Sequence, residues 1–244
     1  MYTPNFRTNR ANVPILSKNE LDDIGEELVA DFCPQAMKSP MEIDVDRFIT
    51  RYLGLEQDFQ FLSHCGLFLG MTVFNDTNRV RIYNPQLNRA EYLKVRAGTV
   101  IIDNSLLNDN QEHRYRFTAG HEAAHGILHP GYFAYNPNQL SMFGDDYVPM
   151  VQCRVDFTKG FKKPVTRWSD KDWMEWQANR LASAILMPKS MVLRVAHEAE
   201  DTQSSANAGL EAVVATFNVS NEAAAIRLKE LGFVPGRDRA CLPF

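Results

Sequence analysis

The sequence has little of what usually assigns a protein quickly. Its four cysteines, Cys33, Cys65, Cys153 and Cys241, are scattered over 244 residues and form no Cys-x-x-Cys pair. A zinc ribbon or a dithiol redox motif is therefore unsupported, and free thiols in a reducing compartment are expected. No apolar run approaches the roughly 18 residues that a membrane-spanning helix needs, so no membrane partner is expected. Met1–Arg10 is polar and lacks the apolar stretch of a secretory leader, which makes a cytoplasmic location the expectation. Neither charge dominates: 26 Lys and Arg stand against 30 Asp and Glu. A net charge of -4 supplies no field to draw nucleic acid, and no direct nucleic-acid binding is expected. Internal repeats and low-complexity tracts are also absent.

Hydrophobic residues make up 45% of the chain, enough to bury a core in one large domain or two small ones. Residues 1–16 read as a loose arm. Ser17 and Glu20 form a capping-box pair, and Leu21, Ile24, Leu28, Val29 and Phe32 then share one helical face. A second helix follows Pro40, carrying Val45, Phe48, Ile49, Tyr52 and Leu53 and stopping at Gly54. Residues 58–103 read as strands over Phe59–Leu62, Leu67–Phe74, Val80–Tyr83, Tyr92–Val95 and Thr99–Ile102, rich in β-branched and aromatic residues. A strong helix spans Glu112–His129. Residues 131–168 show no sustained period and read as a long insertion, with a hairpin near Val151–Phe157. Ser169 and Asp172 start another helix, which Pro188 ends. Three short helices follow, with a turn at Asn218-Val219-Ser220 and a stop at Gly232. Residues 189–244 hold six Lys and Arg and seven Asp and Glu, which does not describe a DNA-binding surface.

The chemistry concentrates at His121-Glu122-Ala123-Ala124-His125, a match to His-Glu-x-x-His. Positions i and i+4 of a helix lie on one face, so two imidazoles can converge on one cation at about 2.1 Å. Glu122 is displaced from that chelate and is placed to take a proton from water that the metal activates. The bare pattern is common; its setting in a helix, with a strand-like Thr99–Ile102 ahead and a carboxylate-bearing helix behind, makes it more specific. A strand ahead of the motif helix is where an extended substrate is expected to pair.

A third ligand is required. The extended motif of one zinc-peptidase class needs glycine at position 128 and histidine at position 131; Leu128 and Gly131 stand there. A spacing of roughly 20 residues lands near Asp145 and Asp146, in a loop-like stretch. Glu175, early in a strong helix, is the better candidate. His129 continues the histidine stripe but points too far along the helix to share the ion, and reads as a core or helix-end histidine. Tyr132, Tyr135 and Tyr147 are unranked candidates for oxyanion stabilisation. Cys153 reads as an ordinary thiol, with a latch onto the metal as the lesser alternative.

Residues 116–125, Arg-Phe-Thr-Ala-Gly-His-Glu-Ala-Ala-His, resemble the motif helix of the ImmA/IrrE family of metallo-endopeptidases. So do residues 175–182, Glu-Trp-Gln-Ala-Asn-Arg-Leu-Ala, running into Leu186-Met187-Pro188. Thr99–Asp103 is similar to the family's strand ahead of the motif, and Phe217–Ser220 with Arg227-Leu228 and Leu231-Gly232 to its terminal helices. The resemblance implies a gluzincin-type zinc endopeptidase with ligands His121, His125 and Glu175 and the base Glu122. It implies an α+β fold, with a small twisted β-sheet packed against both metal helices. The zinc metallopeptidase domain would be 1–188, with the 131–168 insertion between its motifs, followed by a helical region, helix-turn-helix-like, at 189–244. Family habit makes the substrate a cognate transcriptional repressor. The interval from His125 to Glu175, about 50 residues, exceeds the family's usual spacing, so the insertion could lid the cleft or select substrate. A different class of reading is a non-catalytic regulatory protein that binds a repressor or antitoxin-like partner through the same scaffold.

Overall fold

Capping chemistry sets the first helix. In the computed structural model, which describes residues 1–134, 164–202, 205 and 207–233 and the backbone alone of 150–154, helix α1 spans Lys18–Phe32. Ser17 Oγ accepts from the Glu20 amide while the Glu20 carboxylate accepts from the Ser17 amide, so two orphan donors of the first turn are satisfied together. The segment after Pro40 is not one continuous helix. A short α2 (Val45–Arg47) runs into a π-helical turn at Phe48–Tyr52, and Gly54 reverses the chain with φ +67°. The wider turn brings Phe48 and Tyr52 into a stack and places Phe32 against both; tertiary packing outweighs the simple helical period here.

Five strands follow: β1 (Glu56–Gln60), β2 (Phe68–Val73), β3 (Thr77–Asn84), β4 (Arg89–Val95) and β5 (Thr99–Asp103). β3 and β4 form a separate hairpin. The main sheet has the order β1-β5-β2-β6, where β6 is Met150–Arg154. β5 is parallel to β1 and antiparallel to β2, and β6 is antiparallel to β2. The expected pairing of an extended substrate on Thr99–Ile102 is thereby corrected. Both backbone edges of β5 are already used, and the sheet's free edges among the described residues belong to β1 and β6. The expected hairpin near Val151–Phe157 is a strand as far as Arg154; 155–157 lie outside the described residues.

The sheet divides two cores. Val100 and Ile102 of β5 join the helices, while Ile101 faces the hairpin with Met71, Val73, Val80 and Val95. Leu69 faces the helices although Met71 and Val73 share its parity. The register irregularity between Phe68 and Gly70 permits that switch.

Helix α3 (Glu112–Leu128) packs under the sheet, and a single turn α4 (Pro130–Phe133) continues the chain past the expected stop. Helix α5 (Asp170–Leu186) starts at a second capping box, Ser169 with Asp172. Small residues bring the helices close: a Cβ built on Gly25 of α1 would fall 2.5 Å from the Ala184 Cβ of α5. Helices α6 (Lys189–Thr202), α7 (Ala208–Phe217) and α8 (Asn221–Glu230) complete the fold. Asn218 takes the left-handed conformation (φ 51°) and Ser220 caps α8, as the turn residues predict. One apolar core takes Leu21, Leu28, Ala123, Leu181, Val192, Val213 and Leu228 together.

Residues 1–16 do not hang loose. Val13 and Leu16 are buried, Asn9 donates to Asp170 at 2.8 Å, and the Gln177 amide donates to the Pro14 carbonyl at 2.6 Å. The buried Val13, Pro14 and Leu16 are too few to show a period, and the bonds from Asn9 and Pro14 reach more than 150 residues along the chain. No helix among the described residues is long and apolar enough to cross a membrane.

Candidate metal centre

Helix α3 carries Ala119, Gly120, Ala123 and Ala124 around its histidines, all buried. These small side chains let α5 lie close; a Cβ on Gly120 would touch Leu186 and Ala182 at 3.5–3.6 Å. The approach brings Glu175, in the second turn of α5, over His121 and His125. His121 Nε2 lies 3.0 Å from His125 Nε2, and the Glu175 carboxylate oxygens lie 3.5 and 3.6 Å from these two nitrogens. All three donor atoms fall within 4.8 Å of one another. His121 and His125 are fully buried, while the Glu175 side chain keeps 26% exposure, so the cluster opens on the Glu175 side.

The expected residues His121, His125 and Glu175 are therefore brought together, 50 residues of intervening chain notwithstanding. Asp145 and Asp146 lie outside the described residues, as do Tyr135, Tyr147 and the Cys153 side chain. Tyr132 packs beside Val13, Phe133 and Met174. The remaining histidines serve elsewhere: His64 meets Tyr83 edge-on, His113 bonds Asn218, and His197 packs on Phe233.

Glu122 is fully buried between α3 and β2. Thr72 of β2 donates its hydroxyl to Glu122 Oε2 at 2.5 Å and also lies 3.0 Å from the Glu122 carbonyl. Glu122 Oε1 is buried with no hydrogen-bond partner among the described residues. It sits against the bare α-carbon of Gly70, where a Cβ would approach it to 2.6 Å. Any side chain at position 70 would push the carboxylate aside, which is why the bulged stretch of β2 carries glycine there.

Neighbouring groups orient the imidazoles. His121 Nδ1 lies 2.9 Å from Asn179 Oδ1, one helical turn beyond Glu175. His125 Nδ1 lies 2.9 Å from His129 Nδ1, whose Nε2 lies 3.0 Å from Gln177 Oε1. Sequence reasoning missed Thr72, Asn179 and Gln177. Asn179 was detectable as the i+4 neighbour of Glu175; Thr72, 50 residues from Glu122 on a strand, offered no local signal.

Burial acts against every charge here. It pushes the Glu122 carboxyl up to about 7, although His121 and the Thr72 hydrogen bond pull the other way. It draws His125 well down, with His121 and His129 adding repulsion, and draws His129 down to about 4 despite its bond to Gln177. Burial also pulls on His121, but Glu175, Glu122 and Asn179 outweigh it and raise that ring above its usual value. Two facing imidazole nitrogens, a carboxylate across them and a buried carboxylate oxygen without a donor suit a bound cation. Such a donor set fits zinc.

Fold and site together define a mixed α+β protein with a His-His-Glu group, its two histidines buried, able to hold a metal ion. The chain matches the family model of the IrrE N-terminal-like peptidase domain over residues 165–229, which contain Glu175, Gln177 and Asn179. The match covers part of the chain and supports an ImmA/IrrE family protein of metallopeptidase type. A search of curated proteins found no match.

Proposed function

We propose that the protein is a zinc-dependent endopeptidase of gluzincin type, with His121, His125 and Glu175 holding the metal and Glu122 as the catalytic base. The observation that carries this reading is the convergence of those three donor groups beside a buried carboxylate that has one oxygen unpartnered among the described residues. A zinc ion held there supplies Lewis-acid activation of water and of the scissile carbonyl. His121 and His125 present Nε2 from one face of α3, and Glu175 closes the set from α5. Glu122, held through Oε2 by Thr72, takes the proton of the attacking water as its oxygen bonds the carbonyl carbon. It then gives that proton to the amide nitrogen as the C–N bond breaks.

The substrate belongs to the proposal also: a repressor-type DNA-binding protein, cleaved at a peptide bond. Residues 1–188 would be the peptidase portion, with 131–168 contributing β6 to its sheet and selecting substrate, and 189–244 a helical region packed onto it. The test is Glu122→Gln. The variant should keep its zinc and lose cleavage of the cognate protein by about 10²–10⁴-fold, the usual share of a general base. A variant that binds zinc and still cleaves removes Glu122 as the base, and one that binds zinc, no longer cleaves and still performs the biological task at full strength sinks the peptidase reading.

A further inference from the structure

The hydrogen-bond chain that runs from His125 to the N-terminal arm has a fixed direction. The Pro14 carbonyl can only accept, so Gln177 Nε2 donates to it at 2.6 Å. That fixes which way the amide lies and turns Gln177 Oε1, an acceptor, toward His129 Nε2 at 3.0 Å. The His129 proton is therefore on Nε2, and Nδ1 of the neutral ring carries a lone pair. That lone pair faces His125 Nδ1 at 2.9 Å, so His125 Nδ1 carries the proton. His125 Nε2 is then left bare, facing His121 Nε2 at 3.0 Å and Glu175 Oε1 at 3.6 Å. His129 is 0% and Gln177 1% exposed, so water does not compete for these bonds.

We propose that His129 and Gln177 are positioning residues for the metal. Anchored on the backbone of the N-terminal arm at Pro14, they hold His125 in the tautomer whose Nε2 can bind a cation. The two imidazoles are thus supported differently. His121 leans directly on Asn179 of α5, whereas His125 is reached through a second histidine and an amide that ends in the arm. The arm, though it contributes no ligand, becomes part of the metal site.

This inference rests on the reading of His121, His125 and Glu175 as ligands, and the experiment separates the two. Zinc affinity is measured by chelator competition on the full chain for wild type, His125→Ala, His129→Phe, His129→Gln, Gln177→Leu and Leu128→Ala. The visible spectrum of each cobalt-loaded protein is recorded alongside. His129→Phe keeps a ring but offers no acceptor; His129→Gln can still accept and donate. Leu128→Ala opens a cavity on the same helix without touching the chain of bonds. The expected result is zinc binding weakened about 10- to 100-fold in His129→Phe and Gln177→Leu, the usual cost of losing an outer-shell partner. Their cobalt bands should shift, His129→Gln should recover part of the loss, and Leu128→Ala should bind zinc as wild type does. Equal weakening in Leu128→Ala would make the effect one of general stability and overturn the inference. Wild-type affinity in His129→Phe and Gln177→Leu, with binding lost in His125→Ala, would overturn it while leaving the ligand set intact. No difference between wild type and His125→Ala would remove the ligand reading and this inference together.

Discussion

Two buried polar clusters meet helix α5, and they close in opposite ways. In the first, Asp22 of α1 takes Arg180 of α5 on one oxygen and Arg227 of α8 on the other, each at 2.6 Å, and Arg180 also pairs with Glu230. Two cations and two anions balance. Arg180 Nε and Arg227 Nη2 lack a hydrogen-bond partner among the described residues, but they are spare donors on groups already neutralised. In the second, His121, His125, Glu122 and Glu175 contribute only imidazoles and carboxylates. The atom left over there is an acceptor, Glu122 Oε1. The balanced cluster is a clamp that ties the terminal helices to the first. The unbalanced one has the donors to take a positive ion, and the sign of what is left over distinguishes the two clusters.

The largest effect should come from unbalancing the clamp. Asp22→Ala leaves Arg227 in the core without its carboxylate partner and Arg180 with Glu230 alone, and losing one partner of a buried pair typically costs about 3–5 kcal/mol. Denaturant unfolding of the metal-free protein should show that loss, while zinc stoichiometry in the folded fraction stays unchanged. A folded Asp22→Ala protein without zinc would mean that the two clusters are not separable.

A smaller effect is expected from the other cluster. Thr72→Val removes the hydroxyl that holds Glu122 Oε2. Hydrogen bonds to charged groups contribute about 1.5–3 kcal/mol, so turnover should fall by roughly 10- to 100-fold. Zinc content should not change, since Thr72 bonds Glu122 and none of His121, His125 and Glu175. Loss of zinc in Thr72→Val would show that Glu122 belongs to the ligand set.

The mildest probe is pH. His121 is raised above its usual value in the metal-free protein, so that form binds a proton which zinc must displace. Zinc affinity should therefore rise with pH while His121 and the Glu122 carboxyl near 7 still hold protons, by about tenfold per pH unit for each proton displaced, and level off above both. Calorimetry in buffers of different ionisation enthalpy counts the protons released. The clamp should leave no mark on this curve, and a pH-independent affinity would contradict the assignment of His121.

What the sequence made legible follows from the range of each interaction. The two capping boxes, at Ser17 with Glu20 and Ser169 with Asp172, are three-residue patterns and appear where they were expected. His121 and His125 are one turn apart, so their convergence needs nothing beyond a helix. Glu175 was reached because its helix is strongly patterned, although only the packing of α3 on α5 through Gly120 and Ala182 brings it to the histidines. The parallel pairing of β1 with β5 closed an edge that strand propensity alone left open. The arm was misread because Pro14 is fixed by a residue 163 positions away. Thr72, Gly70 and Gln177 share that difficulty: each acts through a contact that exists only once the sheet and helices are assembled.

The central claim is that one metal ion is held jointly by α3 and α5. Metal content of the purified wild-type protein, set beside Glu175→Ala, tests it most directly. The account predicts about one zinc per chain in wild type, the number of ligand sets found among the described residues, and marked weakening in Glu175→Ala. Full zinc retention in Glu175→Ala, or no zinc in wild type even when it is supplied, would contradict it.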